Sequence, residues 1–553
     1  MKLFSSVLML AALLDGTNAA KKKSKIAGKK HPLAIRSPDK EPCQKMREGV
    51  LEHVSTDDKC RCSSGWKKIN TEDGKRCHES NTKIYNSKKL VVTGETLAEA
   101  LLARQNIAGG ATKCAMATGV EQAVDCSGAR MDGKKAKKII VPASTKKLSY
   151  ESNHLDEIHP QWLEGLTNLE KLNIKNNFLD KISPQLFRNN IALEELDLSQ
   201  NQILKLDKSA IFKKNKQLKN LKLNNNRIVD MKMKILTALP NLENLELQHN
   251  RLTRVNGKML KYAKDLKTVD LSYNNINSVA SQAFRMSASV EKVSLDHNKI
   301  TQVNKAVFSN LKNCERMYLQ NNNISKLSKD AFRNMLKVKE INLSENKITE
   351  IASGQFKRLP ELRIVNLNDN QIEFLPVSTF DHSPNLMFVY VKNNKIRSFN
   401  PDLFQYAINL KIFMADDNVV EEISEGLLEG KANLKTVGFS GNNIEKINNF
   451  IDDDSLAVKN VFLQGNEISE VDSNFLNAQR QLAKVEVQQN QLSEEDIDFV
   501  SNIITDDREL QELDLRDNQW AYPQDFNKKF GRAMFGRLAD DIANIGEFGE
   551  ETL

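Results

Sequence analysis

The residues of this 553-residue chain with the most chemistry to offer are its seven cysteines, its eight histidines and two lysine clusters. Six cysteines, Cys43, Cys60, Cys62, Cys77, Cys114 and Cys126, fall in the first quarter. An even set in a poorly patterned region predicts disulfides, with the pairing left open by sequence. The Cys60-Arg61-Cys62 pair has no nearby histidine or second close pair, so zinc-ligand spacing is missing and no metal is expected. Lys21, Lys22, Lys23 and Lys25 form one basic cluster, and Lys134, Lys135, Lys137 and Lys138 form another. Residues 21–150 hold 28 Lys/Arg against 14 Asp/Glu, or +14, and residues 1–20 are neutral. The whole chain is +8, so 151–553 carries 8 − 14 = −6. Dense cation clusters attract sulfated glycosaminoglycans or other anionic surfaces; the bland alternative is a solvated tail.

Catalytic chemistry finds no support. The sequence has no GxGxxG, GxxxxGK[ST], HExxH or GxSxG, and the histidines are scattered without cysteine or acid at ligand spacing. No cofactor and no enzyme activity are expected. His249 and His297 share a sequence slot with Tyr273 between them, which predicts a stacked column that either senses pH near 6 or is simply a solvated rim. Leu3 to Leu14 is the one long apolar run, too short to cross a bilayer core of about 30 Å. With Lys2 before it and Gly16-Thr17-Asn18-Ala19-Ala20 after it, the run predicts a secretory signal over 1–20 and no integral membrane anchor. Secretion makes nucleic acid a poor partner.

From residue 145 the sequence repeats itself. LEELDLSQNQI (193–203), LKTVDLSYNNI (266–276) and LRIVNLNDNQI (362–372) share the pattern LxxLxLxxNxI. Sixteen asparagines, from Asn153 to Asn518, mark a period of 24 with few exceptions. Apolar residues two apart point to one face of a short strand, and the residue between them points to the other. The asparagine turns the chain and satisfies backbone groups left by the bend. Ten residues later stands Phe187, Phe284, Phe308, Phe332, Phe356, Phe380 or Phe404, predicting a stack under the outer side. One repeat cannot bury its own edges, so the repeats must stack.

These motifs resemble the extracellular 24-residue "typical" class of leucine-rich-repeat proteins, which includes Toll-type ectodomains, small matrix proteoglycans and insect leucine-rich immune proteins. The resemblance covers 145–520 and implies an α/β solenoid, a horseshoe of about 16 repeats with a parallel concave β-sheet. Residues 21–42 read as a basic linker, and 43–113 as a cysteine-containing region whose Cys60 to Cys77 stretch is similar to the last half of an epidermal-growth-factor-like module. Residues 114–144 look like the N-terminal cap. The family's C-terminal cap places cysteines after Asn-x-Trp; here Asn518-Gln519-Trp520 is present and they are absent. Over 521–553, Phe526, Phe530, Met534, Leu538, Ile542 and Ile545 recur as one face of a helix, read as a capping helix, with a partner helix as alternative. Cys314 occupies a repeat's first Leu position and is expected to be a buried free thiol.

Repeat positions three and five point out from the concave sheet. Position three reads Ile364, Phe388, Ile412 in consecutive repeats, and position five reads Tyr390, Met414, Gly438, Phe462. Neighbouring strands lie about 4.8 Å apart, so these side chains form an exposed apolar patch, with Asp416, Asp417, Lys392 and Asn366 on its rim. Such a patch marks an interaction site unless another segment covers it. Two N-glycosylation sequons, at Asn323 and Asn342, lie nearby. The expected function is non-catalytic recognition of an extracellular protein ligand, in innate immunity, adhesion or signalling. The alternative is a matrix protein held to sulfated glycans by its lysine clusters.

Overall fold

A computed structural model describes residues 114–117, 122–132, 139, 141–206, 210–231, 235–257, 259–260, 263–504 and 510–519, and the backbone of four strands nearer the N-terminus. The signal segment, both lysine clusters, Cys43, Cys60, Cys62, Trp520 and the expected capping helix lie outside the described residues.

The chain divides into two units, Met1–Thr96 and Leu97–Leu553. In the first, Trp66–Thr71 pairs antiparallel with Gly74–Glu79, setting Cys77 opposite Lys68, and Met46–Arg47 pairs with Val50–Leu51.

The second unit is a solenoid. Two-residue strands such as Lys205–Leu206 and Asp230–Met231 pair separately. The strands of its main sheet are three residues long, from Lys147–Ser149 to Glu512–Asp514, and each pairs in parallel with the next. That makes 16 repeat strands, the number set by the asparagine period. The ladder is an open sheet. At its N-terminal end Ala123–Asp125 adds in parallel to Lys147–Ser149, and Ala115–Ala117 adds antiparallel beyond it. Cys114 and Cys126 are bonded to each other beside this hairpin. The central residue of each strand is buried, as Leu172, Leu196, Val365 and Val389 are, so alternation divides every strand between core and inner surface.

Each repeat asparagine from Asn153 to Asn490 is buried, Asn518 is half-buried, and all are bonded on both sides of the amide. Asn346 accepts the N–H of Ile324 at 3.0 Å and donates to the carbonyls of Leu319 and Leu343, each at 3.0 Å. All the repeat asparagines from Asn153 to Asn518 accept a backbone N–H from the preceding turn in this way. The side chain therefore bolts successive turns together besides bending its own. The residue just before it is left-handed in every repeat, whether Ser152, His249, Tyr273, Asp417, Gly441 or Gly465.

Opposite the sheet the phenylalanines stack. Phe308, Phe332, Phe356, Phe380 and Phe404 follow one another with ring centroids 5.8–6.2 Å apart. Phe212 joins Phe187 in the same way, at 5.8 Å. A second run, Phe439, Phe450, Phe475 and Phe499, continues the column toward the C-terminal repeats. Cys314 is buried and free, and burial pushes its thiol up to about 12. The long interval before Asn518 holds a 3-10 turn at Glu494–Asp496 running into the helix Ile497–Ile503. Ser493 and Asp496 cap it reciprocally: Glu495 donates its N–H to Ser493 Oγ, and Ser493 donates its own to Asp496 Oδ2.

Candidate ligand-binding site on the inner sheet

The inner surface is built from the residues on either side of each buried strand centre. Through the first repeats it is a polar zipper. Lys171 donates to Glu195 at 2.7 Å, Asn244 donates to Asn220 at 2.6 Å, and Thr268 donates to Asn244 at 2.6 Å. Tyr318 continues this polar surface: its hydroxyl donates to Glu340 and Lys292 lies 5.3 Å from its ring centre. Burial, with the Glu340 charge second, pushes that hydroxyl up to about 12.

Between the strands Ile364–Asn366 and Asn460–Phe462 large apolar side chains enter this surface, and Lys484, Glu486, Glu512 and Asp514 return it to charge beyond them. The register sets Ile364 beside Phe388 and Phe388 beside Ile412. It also sets Tyr390 beside Met414, Met414 beside Gly438 and Gly438 beside Phe462. All six large side chains are half-buried, not openly exposed, because each lies against its neighbour across one strand spacing. Burial raises the Tyr390 hydroxyl above its ordinary range.

The rim differs from its expected form at Asp416. Its side chain is 5% exposed, with Oδ2 3.3 Å from Lys392 Nζ and Oδ1 accepting the N–H of Ser440 at 3.0 Å. Asp417 is exposed in its left-handed slot. Between them opens a cavity of about 470 Å³, lined among others by Met414, Phe462, Ser440, Gly441, Gln464 and Gly465. Sequence reasoning missed these last four. The available signal was a local run of glycines, Gly438, Gly441 and Gly465, in a chain with 23 in all.

Gly438 lets the Met414 and Asp416 side chains close over the strand. A Cβ there would stand 2.6 Å from Met414 Cε and 2.7 Å from Asp416 Oδ1. At Gly441 it would stand 2.7 Å from Asp417 Oδ1, and the backbone φ of +63° adds strain for any side chain.

Other candidate residues are placed as follows. Asn342 lies two strands from Tyr390. Its Oδ1 accepts both the N–H and the hydroxyl of Ser344, whose side chain is buried. Asn323 is half-buried with Ser325 exposed. His249, Tyr273 and His297 stack with centroids 4.3 and 4.0 Å apart, and His297 bonds to Asp296. Among the described residues no three His, Cys, Asp or Glu side chains gather as a metal site, and no helix is long and apolar enough to cross a membrane.

The leucine rich repeat family pattern matches residues 143–203 and, in overlapping segments, 216–418. No curated protein matches the chain in sequence. Among solved structures, a leucine-rich-repeat protein of Leptospira interrogans superposes with a TM-score of 0.59 at 22% identity, covering 73% of this chain and 96% of that one. Toll in its complex with Spatzle, from Drosophila, gives 0.60 at 17% identity, covering 78% of this chain and 61% of that one. YopM from Yersinia enterocolitica gives 0.51 at 16% identity, covering 72% and 79%. At these identities the likeness is one of fold. With their repeat pattern, parallel inner sheet and bridging asparagines, the strands from Lys147–Ser149 to Glu512–Asp514 form a leucine-rich-repeat solenoid.

Proposed function

We propose that this is a secreted, non-catalytic recognition protein that binds a protein ligand on the inner sheet through Ile364, Phe388, Tyr390, Ile412, Met414 and Phe462. One observation carries the reading. The outward positions of the first strands pair polar side chains with one another, whereas the strands from Ile364–Asn366 to Asn460–Phe462 set six large apolar side chains among them, with Asn366, Thr436 and Asn460 left polar. Half-buried aromatics with an adaptable methionine, edged by charge, are the composition of protein-binding hot spots. The Drosophila Toll structure, whose solenoid has a similar fold, holds a protein ligand, which supports the class of function but not the ligand. Membership of the extracellular 24-residue class, export directed by residues 1–20 and roles in immunity, adhesion or signalling belong to the same proposal.

The test is capture from native extracellular fluid by the secreted protein and by a Phe388→Glu/Tyr390→Glu variant of equal thermal stability. A partner retained by the first and lost by the second supports the reading. Equal capture by both removes it.

A second reading rests on charge. The +14 carried by 21–150 against −6 beyond it fits a chain tethered to sulfated glycans through Lys21 to Lys25 and Lys134 to Lys138. Heparin retention that disappears when these lysines become alanine supports it, and unchanged retention counts against it.

A further inference from the structure

We propose that the cavity beside Gly438 and Gly441 receives an arginine side chain of the protein ligand; this rests on the reading that the inner sheet binds a protein. Three features lead to it.

The first is a hydroxyl without its usual partner. Ser199, Ser272 and Ser344 occupy the slot two residues before the repeat asparagine, and their hydroxyls donate to Asp197, Asp270 and Asn342 on the strand of the same repeat. Ser440 occupies that slot too, but the strand position facing it is Gly438. Its hydroxyl is buried and has no hydrogen-bond partner among the described residues. Buried polar groups are almost always satisfied, so one lining a cavity calls for a partner from outside. Gln464 Oε1 is open as well, but Gln248, Gln320 and Gln488 in the same slot are open too, so it does not distinguish this place.

The second feature is charge. Lys392, Asp416, Asp417 and Glu486 are the ionisable residues lining the cavity, giving 1 − 3 = −2. Lys484, bonded to Glu486 at 2.7 Å, brings the neighbourhood to −1. Asp416 Oδ2 is buried and near Lys392, yet it accepts no hydrogen bond among the described residues. The accessible acceptor is thus the exposed carboxylate of Asp417. Behind it Ser440 Oγ, withdrawn from solvent and unbonded among the described residues, and Asp416 Oδ2, withdrawn from solvent and paired only with Lys392, keep acceptor capacity that suits a cation rich in donors.

The third is the wall. Met414 and Phe462 line the same cavity as the carboxylates and give it apolar surface, with Lys484 Nζ 5.9 Å from the Phe462 ring centre. A guanidinium pairs a planar, weakly hydrated face with several in-plane donors, whereas an ammonium is compact and strongly hydrated. Apolar walls with carboxylates at the rim therefore favour arginine over lysine.

The experiment titrates the full secreted chain with N-acetyl-arginine methylamide, using the lysine and citrulline counterparts as controls, and follows methyl NMR shifts of the methionines and Ile412. Arginine is expected to shift Met414 with a millimolar Kd. The exposed-site change Asp417→Asn is expected to weaken it about tenfold. Citrulline, which keeps the shape and loses the charge, is expected not to bind, and this control needs no variant to fold. Absence of arginine binding, or binding of citrulline or lysine as tight as arginine, overturns the proposal. A failed titration together with capture still abolished by Phe388→Glu/Tyr390→Glu would remove the arginine pocket and leave the inner-sheet reading intact. Capture unaffected by that variant would remove the inner-sheet reading, and this proposal with it, whatever the titration gave.

Discussion

The Asn346 side chain has four backbone partners on two successive turns, all in buried surroundings. Asn346→Ala should therefore cost about 3 kcal/mol, since each buried group left unmet costs about 1–3 kcal/mol. Urea denaturation of the variant would check this; a loss below about 1 kcal/mol would contradict the bridging role. The asparagine itself was legible, because its period stands out in the sequence. The left-handed residue before it was legible only in part: Asn, Asp, His and Gly, which favour positive φ, fill most of these slots, but Ser152, Gln200, Tyr273, Glu345 and Gln489 fill the rest. Cys314 was legible from its repeat position. With its thiol pushed up to about 12 by burial, it should resist iodoacetamide in the folded chain at pH 8 and react fully in denaturant. Rapid labelling of the native protein would place it nearer the surface. The bond between Cys114 and Cys126 was one of several pairings that sequence left open, because only the added antiparallel strand brings the two together.

Between strands, the same ladder gives carboxylates opposite pH signatures. Lys171 donates a hydrogen bond to Glu195 and holds its carboxyl below the ordinary range. Stability from that pair is present above the unfolded value of about 4.3 and is lost as pH falls through the lower folded value. Glu246 is raised, by burial first, so its contribution is favourable below the unfolded value and is lost as pH rises through the folded one. Glu195→Gln should lower the urea midpoint at pH 7 and flatten its fall between pH 5 and 3. Glu246→Gln should leave the pH 7 midpoint unchanged or higher. Identical pH profiles for the two variants would contradict this assignment. The strand pattern that sets these neighbours was readable from the alternation in LxLxx. The crowding that half-buries Phe388 and Tyr390 was not, because it depends on how closely the stacked strands bring neighbouring side chains.

At the scale of the whole molecule, a 24-residue period obliged the chain to stack, and the solenoid follows from it. Ile364, Phe388 and Ile412 were found in sequence because a strand register places equivalent repeat positions side by side. The cavity was hidden, because it is made by missing side chains: Gly438 removes the group that Ser440 would bond, and Gly441 and Gly465 open the rim. Absence leaves little mark in a sequence unless the neighbouring repeats are already aligned in space. The central claim is that the apolar inner strip is where a ligand sits. It is tested most directly by placing a photocrosslinking phenylalanine analogue at Tyr390 and, separately, at the exposed Tyr406, just past the phenylalanine stack across the turn. Irradiation in native extracellular fluid should yield a defined crosslinked protein from position 390 and none from 406. The same adduct from both positions, or one from 406 alone, would contradict recognition by the inner sheet.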